Sequence, residues 1–187
     1  AVNALVAVSA VACRGLTAGH PLDQGLFIAL LTPAVMSVLA IAFIMLWAVQ
    51  RRRRHVLALG MSYVCAAAGF ALQSFDLGLG ATAERFIANA LFIVATCTLT
   101  AAAIERQGLT APYRAFVGVG AIVLAAFSWF LFVDVDFVMR VFVMNCGLAT
   151  ICLIAAVRLR ETRRPAFIDR CMPWLAVVAA AELAIRP

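Results

Sequence analysis

The chain contains no lysine: all fifteen of its basic side chains are arginine. A retinal-type Schiff base therefore has no amine to form on within these 187 residues. The H-E-x-x-H, G-x-S-x-G and phosphate-loop patterns are missing as well. The two histidines, His20 and His55, stand alone beside apolar runs, with no second ligand at a metal-binding spacing. No C-x-x-C pair occurs among the six cysteines, Cys13, Cys65, Cys97, Cys146, Cys152 and Cys171. Most lie inside apolar runs, where a free thiol behaves as a small buried hydrophobe. These absences argue against an enzyme within the stretch and offer no residues for a cofactor or a metal ion.

Charge is scarce too, at 13% of residues, while 66% are apolar and the mean hydropathy is +1.05. Globular chains run about 45–50% apolar, so this composition exceeds what polar surface can cover in water. Lipid is the expected solvent for most of the chain. Its length accommodates six helices of ~20 residues with short connections and leaves no room for a separate soluble domain. The expectation is an all-α, polytopic transmembrane bundle, with 1–187 forming a single integral membrane domain. The chain starts without Met and ends at Arg186-Pro187 directly after an apolar run, so both ends look cut.

The apolar runs place six spans at about 24–50, 56–75, 86–104, 115–133, 138–157 and 171–187. Residues 1–12 are apolar but too short to cross alone, and form a partial or interfacial segment. Gly60, Ala66 and Gly69 give the second span small faces for close helix contact. Gly108 and Pro112 punctuate the connection ERQGLTAPYR, and DVDF is a turn short enough to make the fourth and fifth spans an antiparallel hairpin.

The arginines set the orientation, because basic residues in short loops and helix flanks collect on the cytoplasmic side. Arg51 to Arg54, Arg106, Arg114, Arg158, Arg160, Arg163, Arg164 and Arg170 fall on one side of this scheme, and Arg14, Arg85, Arg140 and Arg186 on the other. Arg51 to Arg54 are thus expected on the cytoplasmic side. Their position at the ends of apolar runs suits lipid headgroups and topology and does not suit nucleic acid, which needs a basic face with polar or aromatic readers.

Polar side chains within a bilayer are costly, about 2.5–3.5 kcal/mol for a central charge, and so mark candidate sites. Glu182 is the one acidic residue deep in an apolar run, and Asn145 falls at a comparable depth on the fifth span. Gln73 and Asn89 lie nearer the outside on the second and third, with Arg140 and Arg186 at the outer margin. Converging, these six would form a ligand pocket open to the outside. Each also has an ordinary reading: the amides as interhelical hydrogen-bonding groups, and Glu182 with Arg186 as an i,i+4 ion pair. Asp134 and Asp136 read as a solvated hairpin tip. Pro33, inside the first span, frees a backbone carbonyl and should bend the helix or line a polar cavity.

The order of features over 26–105 is similar to the multi-helix N-terminal sensory region of bacterial membrane-bound diguanylate cyclases with a GGDEF output domain. The matching stretches are the apolar helix ending in Trp47-AVQ-RRRR, the helix LGMSYVCAAAGFALQ, and IANALFIVATCTL closed by ERQGL. RLRETRRP and the last span fit the same plan. The resemblance implies an inner-membrane input module that anchors and homodimerises the protein, responds to an unidentified small ligand or membrane signal, and controls cyclic di-GMP synthesis in a cytoplasmic domain. The GGDEF motif itself is absent, so no catalytic residue carries over. A small transporter or channel, and a passive anchor and dimerisation scaffold, are the alternative functions.

Overall fold

The computed structural model describes residues 21–160 except 51, 52, 76, 77 and 79, with side-chain burial from Leu30 onward. Five helices account for nearly all of them: α1 (Pro21–Val49), α2 (Arg54–Ser74), α3 (Ala81–Arg106), α4 (Tyr113–Phe132) and α5 (Phe137–Leu159). All five are long and apolar enough to cross a membrane. Their outer faces carry the large apolar side chains that soluble proteins hide, among them Val38 and Met45 on α1, Val117 and Ile122 on α4, and Phe142 and Val157 on α5. That arrangement is stable only with lipid against it.

The expected count of six spans is corrected to five candidate spans among the described residues. The sixth expected span, 171–187, and the partial segment at 1–12 lie outside those residues. Length alone makes the sixth the weakest of the set: fifteen residues ahead of Arg186 rise ~22 Å as a helix, against a hydrocarbon core of ~30 Å. Two boundaries also move. The third span begins at Ala81 rather than 86, which draws Glu84 and Arg85 out of the preceding turn and into a helix. The described part of the first runs from Pro21 to Val49, against an expected 24–50.

Short connections alternate the helix directions, so α1, α3 and α5 run one way and α2 and α4 the other. Between α3 and α4 the chain turns on Gly108, whose φ of 75° is left-handed. Its N–H donates to Glu105 O at 2.9 Å and that of Leu109 to Ile104 O at 3.4 Å, the paired bonds of a Schellman end. Leu109 packs on the cluster that holds Ile104, completing that motif. The start of α5 is capped by Asp136, whose carboxylate accepts from Val138 N at 2.8 Å and Met139 N at 3.3 Å.

α3 is the centre of the bundle. It packs against α2, α4 and α5, whereas α1 packs only against α2 among the described residues. One face of α3 places Ala95 with Met36 of α1 and Ala66 of α2. The other sets Ile93, Ala101 and Ile104 against Phe116, Val123 and Phe127 of α4 and Met144, Ile151 and Ala155 of α5. Phe116, Ile104 and Ile151 are the largest side chains fully enclosed.

With no difference in hydrophobicity between lipid tails and helix surfaces, association depends on close approach, and small residues permit it. A Cβ on Gly69 would stand 2.9 Å from Phe92 Cε1, and one on Gly147 would fall on the isopropyl group of Val123. Phe92 uses the space beside Gly69 to reach Phe70, edge-on at 4.8 Å between centroids.

Pro33 is buried, and α1 runs through it unbroken. Ser37 Oγ donates to Pro33 O at 2.7 Å, a bond back along the same helix that leaves the carbonyl of residue 29 without the N–H a non-proline residue would offer.

Candidate functional site

The half of the bundle away from the arginine-rich connections holds most of the described polar candidates. Two depths matter there. Glu84 lies three residues into α3 and Arg140 three residues into α5, each ~4.5 Å along its helix. Asn89 and Asn145 lie eight residues in, ~12 Å along. Because α3 and α5 pack together and start from the same side, a charged level and an amide level succeed one another down the same pair of helices.

Each member has its own setting. Glu84 is 8% exposed, one of two buried polar residues among those described, the other being Ser62. As a carboxylate in the first turn of α3 it sits where the unbonded N–H groups of a helix favour negative charge. Arg140 is half-buried, with its guanidinium carbon 5.7 Å above the centre of the Phe137 ring. Its Nε is fully enclosed and has no hydrogen-bond partner among the described residues. Asn89 is half-buried, and its Nδ2 donates to Arg85 O at 2.7 Å, within its own helix rather than to a neighbouring one. Asn145 is half-buried, between the buried Met144 and Gly147.

Gln73 is exposed in the last turn of α2, and α2 does not pack against α5 among the described residues. α3 therefore stands between Gln73 and the Arg140–Asn145 pair. Glu182 and Arg186 lie outside the described residues. Of the six expected residues, Asn89, Arg140 and Asn145 lie in the same half of the bundle, on α3 and α5, and Gln73 lies on α2 beyond α3. Glu84 is a buried polar residue outside the six expected ones, because it precedes the apolar run at 86–104. Its signal was the spacing Glu84, Ala88, Ala95, Ala102, one helical stripe, all of which proves buried.

Chemically, the enclosed Nε of Arg140 is a donor that a small polar or anionic group could satisfy, whereas Glu84 shares its stripe with Ala95 and so lies on the face of α3 toward α1 and α2. No group of three or more His, Cys, Asp or Glu among the described residues is set to hold a metal ion. Cys65, Cys97, Cys146 and Cys152 are free and half-buried, with Cys97 packed on the main core cluster.

The fold and its exposed apolar girdle define a polytopic membrane helix bundle. No family model, curated protein or solved structure matches the chain.

Proposed function

We propose that the bundle is the membrane-embedded sensory and anchoring input domain of a bacterial signalling protein. The observation that carries this reading is the enclosed Nε of Arg140 near the start of α5, with Asn145 further down the same helix and Asn89 at the matching depth on α3. Buried polar groups cost stability in a bilayer, and one enclosed guanidinium nitrogen without a partner among the described residues is the kind of group a ligand would satisfy. Gln73, Glu182 and Arg186 belong to the same outer site in this reading. A ligand held there would favour one of two arrangements of packed helices over the other, and the shift would pass along the bundle.

The similarity to diguanylate cyclase sensory regions supplies the output: cyclic di-GMP made by a cytoplasmic GGDEF domain, with this stretch non-catalytic and the protein a homodimer in the bacterial inner membrane. Arg51 to Arg54 face the cytoplasm in this scheme, as the excess of arginine on their side supports. The test is cyclic di-GMP measured in cells expressing the full-length protein with Asn89→Ala, Arg140→Gln or Asn145→Ala. Altered output with normal membrane insertion is expected for Arg140→Gln and Asn145→Ala. Wild-type output from all three sinks the site, and a reading frame without a GGDEF-type domain sinks the cyclic di-GMP assignment.

A further inference from the structure

The end of the bundle opposite the polar levels carries a second feature, independent of the sensory reading. Arg53 precedes α2 and Arg54 opens it, Arg106 and Arg114 flank the α3–α4 connection, and Arg158 and Arg160 close α5; all six are exposed. The described arginines of the other end are Arg85 and Arg140 alone. Because α3 packs against α2, α4 and α5, the start of α2, the end of α3, the start of α4 and the end of α5 surround one point. Arg54, Arg106, Arg114, Arg158 and Arg160 thereby stand at the end of α3 and at the neighbouring ends of the helices packed on it. The one carboxylate described on this side, Glu105, accepts a hydrogen bond from the Tyr113 hydroxyl across the α3–α4 turn. It therefore has less capacity left for the arginines.

We infer that this arginine face binds an anionic phospholipid, with the headgroup phosphate held by Arg106, Arg114 and Arg160. Three observations select a lipid. The arginines stand at the ends of membrane-crossing helices, at the level of the phosphates. One or two turns further into the bilayer, Val117 on α4 and Leu153 and Val157 on α5 expose apolar side chains, 70%, 52% and 55% accessible, as a surface for acyl chains. Every cation is a guanidinium, whose planar fork engages phosphate oxygens in pairs where an ammonium acts as a point charge.

The test uses the purified full chain and phosphatidylglycerol as probe, with lipid binding followed by native mass spectrometry. A contribution equivalent to about fivefold in affinity per arginine makes the triple variant R106Q/R114Q/R160Q bind about a hundredfold more weakly. R85Q, at the other end, leaves binding unchanged. Because removing arginines can also alter topology, R106K/R114K/R160K is the companion: it keeps the charge that sets orientation and loses the paired contact, and should weaken binding several-fold. Phosphatidylcholine binding as tightly as phosphatidylglycerol overturns the inference, as does displacement by inorganic phosphate at equal concentration, which would make the site one for free phosphate. Wild-type affinity in both triple variants overturns it equally.

Discussion

Single side chains decide how closely these helices approach, and Gly147 is the sharpest case. Alanine there places a methyl group on Val123, so α4 and α5 must separate or Val123 must leave its rotamer. Gly147→Ala should cost about 1–3 kcal/mol, read as a lowered thermal midpoint in detergent. Val123→Ala in the same chain should recover most of the loss, because it removes the group that clashes. Residue-scale features were only partly legible in the sequence. Glycines inside apolar runs announce close contacts without naming the neighbour, and Gly69 gave no hint of Phe92. Asn89 illustrates the opposite difficulty: an amide at membrane depth reads as a bridge between helices, yet its own helix offers the Arg85 carbonyl at 2.7 Å and takes the bond. Local partners are always within reach, whereas distant ones depend on packing that a sequence does not state.

At the scale of the elements, apolar runs translate into helices dependably because an unbonded backbone is not tolerated in hydrocarbon. Their ends follow other rules. α3 gains a turn over its apolar run because a helix can project into the headgroup layer, where Glu84 and Arg85 are admissible. α5 begins where Asp136 caps it, which the short DVDF stretch made visible as a turn but not as a cap. Asp136→Ala should destabilise that end by about 1 kcal/mol and speed amide hydrogen exchange in the first turn of α5, while Asp136→Asn should keep most of the protection. Pro33 shows how an element absorbs a local defect. Its missing N–H suggests a bend, but α1 continues through it.

For the whole molecule, composition and the arginine distribution revealed the class of fold, and five candidate spans lie among the described residues rather than the six expected for the chain. The alternation of the five helices puts the α3–α4 and α4–α5 connections on opposite sides of the membrane. Thr110→Cys and Asp134→Cys, each exposed and each in a chain whose native cysteines are replaced, should therefore react with a membrane-impermeant maleimide from opposite faces of sealed vesicles. Labelling of both from one face would break the topology. The order of packing has a mechanical result of its own. α1 touches α2, α2 touches α3, and α3 alone touches the α4–α5 hairpin. The bundle is wired in series, with α3 as its junction. Any displacement begun in α4 or α5 must cross α3 to reach α1, through an interface that includes the Gly69–Phe92 joint and the Met36–Ala66–Ala95 cluster, so loosening that interface uncouples the two halves of the bundle.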